Sequence, residues 1–260
     1  MRLFGCMKHI LTMLVRASLF GVVLVLMACQ TIEHSDKTSL ANIRTQMAGQ
    51  YVLAGNLDEA KRQLDMAIIA DARFAPSHDM MGVVLQVEGS QQNLDKADAF
   101  FREAMRLDPN FMRAYNNYGV YLVQIGRLHD AIGYFEQAGS RLGYDGRIQA
   151  LENLGLTWQK LGDIQRADEA FYRAIHGGSL NLTIYQDVLT RLVQNNEITQ
   201  AGMILQRLVD VVPITDWHEQ LIKIAIKVVK KSGDDAKLPQ LMQALYDKNP
   251  KQQPTNLNEL

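Results

Sequence analysis

Between Met112 and Ala138 the apolar residues fall on two helical faces with one break between them. Tyr115, Tyr118, Gly119 and Leu122 follow spacings of 3, 1 and 3, which is one face of a helix. Gly126 interrupts the pattern, and beyond it Ala131, Phe135 and Ala138 recur at spacings of 4 and 3, the face of a second helix. The small residues Gly119, Ala131 and Ala138 mark close helix crossings, and Tyr115 and Phe135 fill the gaps between them. The stretch therefore predicts a helical hairpin.

The same pattern recurs along the chain. The Gly119 slot is taken in turn by Ala48, Gly82, Gly119, Gly155, Leu189 and Ala225, at steps of 34, 37, 36, 34 and 36 residues. The Ala131 slot reads Ala60, Ala97, Ala131, Ala167 and Ala201, and the Phe135 slot reads Leu64, Phe101, Phe135, Phe171, Leu205 and Leu241. Gly55, Gly89, Gly126 and Gly162 occupy the turn, and Asn196 replaces glycine in the fifth copy. Pro109 and Pro213 stand just past the second helices of copies two and five, where proline stops a helix. Two steps are long. Gln91 to Asn93 is expected to widen the turn inside copy two, and Gly143 to Arg147 to lengthen the link from copy three to copy four. The sixth copy is degenerate, with Lys237 in the alanine slot, as suits a terminal repeat that shows one face to water.

A leading aromatic or leucine, L-G-x-x-Y, a glycine at the turn and A-x-x-x-F-x-x-A together resemble the tetratricopeptide repeat (TPR). The resemblance implies an all-α fold, a right-handed superhelical solenoid of six helix pairs from residue 40 to residue 249. Each pair buries its apolar face only against its neighbours. No β-type alternation of useful length appears.

The chain before the repeats is different. Arg2, Lys8 and Arg16 are the only charges among the first 28 residues, and Ala17 to Ala28 is an unbroken apolar run. Its 12 residues fall short of the ~20 that a membrane span needs and fit the apolar region of a signal peptide. The start is Met1, Met7 or Met13. The run ends in Leu26-Met27-Ala28-Cys29, which resembles a bacterial lipobox and makes residues 1–28 a lipoprotein signal and Cys29 the lipidated residue. Met27 departs from the usual small residue, and the other reading is a cysteine that happens to follow an ordinary secretory signal. Lipidation by more than one acyl chain would anchor the chain stably. Gln30 follows where an Asp would favour inner-membrane retention, so the analogy points to the outer membrane. Residues 29–39 read as a tether and 250–260, with Pro254, as a disordered tail.

Cys6 and Cys29 are the two cysteines; cleavage removes one and lipid consumes the other. Without Arg2, Lys8 and Arg16 the chain keeps 24 basic residues against 28 acidic ones, a charge near −4. That argues against nucleic acid, which calls for a basic footprint. The histidines His9, His34, His78, His129, His176 and His218 stand at no metal-ligand spacing. No phosphate-loop, dinucleotide or nucleophile-elbow motif occurs. Gly177-Gly178 reads as an inter-repeat turn, Lys230-Lys231 as a charged helix end, Trp158 as core, and Asp216 to His218 as the opening of the last repeat. The expectation is a non-enzyme with no cofactor, metal or small-molecule substrate.

What remains is surface. In tetratricopeptide proteins the first helix of each repeat lines the concave face, and the resemblance puts its second, fifth, ninth, twelfth and thirteenth positions there. These include Val52 and Leu53 in copy one, Pro76, Asp79, Val83, Gln86 and Val87 in copy two, Arg113, Asn116, Val120, Val123 and Gln124 in copy three, and Leu156 in copy four. The expected partner groove is Val52, Leu53, Val83, Val87, Asn116, Val120, Val123 and Leu156, with Asn116 placed to bond a ligand backbone. The other reading of the valines is packing between repeats. The Lys/Asn/Arg clamp of chaperone-binding members is missing.

A lipobox, a short tether and six such repeats resemble the PilF/PilW family of type IV pilus biogenesis lipoproteins, most specifically at Asn116 to Leu122 with Gly126, Arg127 and Ala131. The resemblance implies a pilotin: an outer-membrane lipoprotein that binds secretin subunits and promotes their localisation and assembly. The alternative is an envelope adaptor for another system, such as peptidoglycan hydrolases or outer-membrane protein assembly, because fold alone does not fix function.

Overall fold

The computed structural model describes residues 36–248; the signal segment, Cys29, Gln30 and the tail from residue 250 lie outside the described residues. Every regular element described is helical. In chain order the α-helices are α1 (36–53), α2 (Leu57–Ala70), α3 (Ala75–Glu88), α4 (Gln91–Leu107), α5 (Met112–Gln124), α6 (Leu128–Ser140), α7 (Arg147–Lys160), α8 (Ile164–Gly177), α9 (Leu182–Gln194), α10 (Ile198–Val211), α11 (Glu219–Ser232) and α12 (Leu238–Lys248). Each odd-numbered helix and the even one after it form one repeat. The chain divides into two compact units within α5, between Tyr121 and Leu122.

The turns inside copies one, three, four and five share one geometry. Gly55, Gly126, Gly162 and Asn196 all have positive φ, and Asn196 is the only non-glycine among the described residues that does, at 63°. In each turn the next residue donates its N–H back into the helix: Asn56 to Tyr51, Arg127 to Leu122, Asp163 to Trp158 and Glu197 to Leu192, at 2.8 to 3.0 Å. These are Schellman closures, which satisfy carbonyls that a helix end leaves open and require a left-handed residue. Asparagine is the side chain best tolerated there after glycine, which is how the fifth copy keeps the turn. Asn56 and Asp163 then cap the second helices, accepting from the backbone N–H of Glu59 and Arg166.

The repeat slots form the core. In the first unit Ala48, Ala60, Leu64, Ala97 and Phe101 are fully buried; in the second, Ala131, Ala167, Phe171, Leu189, Ala201 and Ala225 are. The contact behind this pattern is specific. A Cβ on Gly82 would meet the Phe101 ring at 2.8 Å, and one on Gly155 would come closer still to Phe171. The second helix crosses so near the first that the aromatic ring lies directly on glycine.

Three expectations need correction. Gln91 to Asn93 does not widen a turn. Ser90 accepts from the Asn93 backbone N–H and caps the helix there, so the insertion becomes the start of a longer α4, 17 residues against 14 in α2 and α8. Trp158 is partly buried rather than core, with the Arg166 guanidinium 4.5 Å above its ring. Lys237 ends a 3-10 turn, Asp235–Lys237, and its Nζ bonds Gln206 Oε1 at 2.5 Å. Other features are as expected: residues 141–146 form the long link before α7, Gly178 closes α8 in the left-handed region, and Gly233 closes α11 beyond Lys230 and Lys231. Trp217 is wholly buried and donates to the Val212 carbonyl at 3.1 Å, and His218 caps α11.

Replacing Gly82 with alanine should therefore lower stability by about 1–3 kcal/mol through overpacking, although alanine favours helix. Gly133→Ala, on an exposed part of α6 with nothing within 4 Å of the new Cβ, should raise it by roughly 0.5–1 kcal/mol. Urea melts of the two variants should move in opposite directions.

Candidate functional site

In the first unit α1, α3 and α5 lie side by side, held by polar contacts between their neighbouring faces. Thr45 on α1 meets Ser77 on α3, oxygen to oxygen, at 2.9 Å, and both are buried. Asp79 on α3 accepts from Arg113 Nε at 3.2 Å and from Asn117 Nδ2 at 3.0 and 3.1 Å, both on α5. The second unit repeats the device. Glu152 on α7 accepts from Ser179 Oγ at 2.5 Å and Asn181 Nδ2 at 3.4 Å at the start of α9, and Gln159 donates to Asp187 at 3.2 Å. Thr45, Asp79 and Glu152 all hold the fifth position of their repeat. That position links one repeat to the next instead of facing an open groove.

Apolar residues on the same first helices are exposed. Leu53 and Val87 are 83% and 58% accessible, Val120 is 38% accessible, and Val52 and Val83 are half-buried. Asn116 is placed otherwise than expected: at 4% exposure it lies inside, as do Thr45 and Asp79. In the second unit Val123 is half-buried and Leu156 is 37% exposed. The arrangement in the first unit is a row of valine and leucine side chains on three adjacent helices, with the Asp79–Arg113 pair toward the start of α3 and α5.

Asp79 is the electrostatic outlier. Its side chain is fully buried, and burial pushes its pKa up to about 6 against the opposing pull of the Arg113 charge and of the bonds from Asn117 and Arg113. Sequence reasoning placed Asp79 and Arg113 on the concave stripe but not as partners. The available signal was a polar residue at the fifth position of four successive copies: Thr45, Asp79, Asn116 and Glu152.

Among the described residues no three His, Cys, Asp or Glu side chains could hold a metal together, and no helix is long and apolar enough to cross a membrane. What the arrangement presents to solvent is a set of apolar side chains with fixed polar groups between the helices that carry them.

The chain is similar to known proteins in sequence and fold. A tetratricopeptide-repeat family model matches residues 84–111. A type IV pilus assembly protein, PilF of Pseudomonas aeruginosa, is 30% identical over 130 residues, and the match covers half of this chain and half of that protein. The chain thus matches about half the length of that curated relative. A solved PilF structure from the same organism superposes with a TM-score of 0.64 at 22% identity, covering 84% of this chain and 95% of that one. PilW, described as a widely conserved type IV pilus biogenesis factor, superposes with a TM-score of 0.55 at 19% identity over 82% of this chain and 96% of its own. At those identities the structures establish the fold, that of a tetratricopeptide-repeat solenoid.

Because Asp79 carries a raised pKa in the folded chain, it favours folding fully below its unfolded value, and that contribution is lost as pH rises through about 6. Unfolding free energy should therefore rise as pH falls from 7.5 to 5, by roughly 1–1.5 kcal/mol from this group. Glu59 and Glu103, held down by bonds from Arg62 and Arg106, slope the other way at lower pH. The quantity to read is thus the difference between wild type and Asp79→Asn, whose profile should be flatter between pH 5 and 7.

Proposed function

We propose that this chain, a tetratricopeptide-repeat protein related to PilF and PilW, serves type IV pilus biogenesis as a docking protein held at the outer membrane. Its partner is the secretin subunit of the pilus machinery, its lipid anchor is Cys29, and its docking surface is the apolar row of the first unit. It acts by binding and localisation, without a catalytic step.

The observation that carries the reading is the exposure of Leu53, Val87 and Val120 on neighbouring first helices whose other faces are packed. Contiguous apolar surface left in water marks a site for a partner. Val52 and Val83 are half-buried on the same helices, while Val123 and Leu156 hold the same type of position in the second unit. Lipidation of Cys29, beside Gln30, would leave the repeats a short tether from the periplasmic face of the membrane.

Deleting the gene should abolish surface pili while leaving cell shape and detergent resistance intact. The reverse phenotype would favour an adaptor for cell-wall hydrolases. Cys29→Ser should yield a folded protein that no longer sediments with membranes, and continued sedimentation would count against the anchor. Val87→Glu should fail to restore pili yet melt within a few degrees of wild type, since its side chain is already mostly in water; a collapse of the melt would make Val87 part of the packing.

A further inference from the structure

We propose that the outward face of the first repeat is a self-association surface, through which two copies of this chain meet head to head as a two-fold dimer. The repeat register identifies the face. Five places before the Gly119 slot stand Ile43, Ser77, Ala114, Ala150 and Ile184 in copies one to five, and one place before it stand Met47, Met81, Tyr118, Leu154 and Val188. In copies two to five all of these are buried. The preceding repeat covers them. Ser77 meets Thr45 on α1, and the Tyr118 ring lies 5.9 Å from that of Phe101 on α4, its hydroxyl donating to Asp98 at 2.7 Å. In copy one the same positions are open: Ile43 is 51% and Met47 39% exposed. The first helix thus keeps the apolar pattern of an interior repeat, where a terminal repeat calls for a polar outer face.

Leu40, also exposed, completes a stripe with Ile43 and Met47 at spacings of 3 and 4, which is one helical face. Arg44 reaches from its edge to Gln63 Oε1 at 2.7 Å and Met66 Sδ at 3.4 Å on α2, so the exposed Met66 extends the face. The buried residues Ala41, Thr45 and Ala48 lie on another side of α1, which is therefore apolar on two sides.

The composition selects a second copy as the occupant. The charges of α1 are Asp36, Lys37 and Arg44. Two stand at its start and the third is turned to α2, so two stripes can meet without burying a charge. Run antiparallel about a two-fold axis, they set Leu40 against Met47 of the second copy and Ile43 beside its own counterpart, the reciprocal pairing that closes a dimer. Asn42 and Gln46, bonded to each other at 3.4 Å, border the seam. In the last repeat α12 exposes Gln240, Gln243, Asp247 and Lys248 with Tyr246, a poor match for an apolar stripe and so for head-to-tail stacking. A bilayer fits poorly as well. Interfacial helices carry a Lys/Arg-rich polar face, whereas exposed Asp36 and Asp65 offset Lys37 and Arg62 on these two helices. The face is smaller than the ~20–30 residues a side of a standard interface, so the dimer forms in the micromolar range.

The test is sedimentation equilibrium of the Cys29→Ser chain in reducing buffer, from ~1 to ~200 µM. The mass should rise from that of one chain to that of two and stop there. Ile43→Glu, which sets two carboxylates against each other at the axis, should weaken association at least about tenfold yet melt within a few degrees of wild type, because Ile43 is half in water before association. Leu40→Glu should do the same and serves if Ile43→Glu does not fold. Leu142→Glu, at an exposed residue of the link before α7, should associate as wild type does. A single-chain mass throughout would overturn the inference; if that monomer sedimented with phosphatidylglycerol vesicles and lost this on Ile43→Glu, the face would belong to a membrane instead. A mass growing past two chains, or a dimer indifferent to both glutamate variants, would overturn it equally.

Discussion

Everything in this chain depends on how closely the two helices of a repeat can approach. The approach is set by glycine or alanine in one helix and by an aromatic or leucine ring-sized group in the next. Where the pair is Gly82 with Phe101 or Gly155 with Phe171, the ring occupies the volume of a missing Cβ. Such contacts fill space that no flexible side chain needs to enter, so packing is dense and the crossing geometry has little latitude. The left-handed turn residue follows from the same constraint: helices this close must reverse within a few residues, and Gly55, Gly126, Gly162 and Asn196 supply the backbone that allows it.

That constraint explains why the fold was legible. Slots filled by small residues in one helix and large ones in the next recur at near-constant spacing, and each is buried where expected, from Ala48 to Leu241. Even the irregular copies obeyed local rules. Asn196 kept the turn because asparagine tolerates positive φ. The insertion at Gln91 was misplaced because a helix cap is a competition. Ser90 captures the Asn93 N–H, and three residues that read as turn become helix. Trp158 was misjudged because a large residue in a core slot can lie at the rim, where Arg166 covers it.

The candidate site was only half legible. Helical spacing locates the exposed valines and leucines, since exposure follows from which face a repeat leaves unused. It does not reveal that the fifth position turns toward the next repeat. Thr45, Asp79 and Glu152 are polar, and polar residues on a predicted concave stripe read as solvent-facing until a partner across the helix boundary is known. Pairing across repeats depends on relative helix placement, to which single-chain periodicity is blind. The result is a surface with a division of labour. Apolar side chains offer area, while a buried polar ladder fixes the helices that carry them and leaves one arginine pointing outward. Among the described residues the carboxylate with the largest shift, Asp79, holds Arg113 in place.

The most direct test of the docking account is affinity capture from detergent-solubilised membranes with the tagged, lipidated protein as bait, followed by mass spectrometry. The account predicts recovery of the type IV pilus secretin by the wild type and its loss when Leu53, on the exposed end of the first helix, is changed to Glu. Recovery of secretin undiminished by that change, or of cell-wall hydrolases in its place, would contradict it.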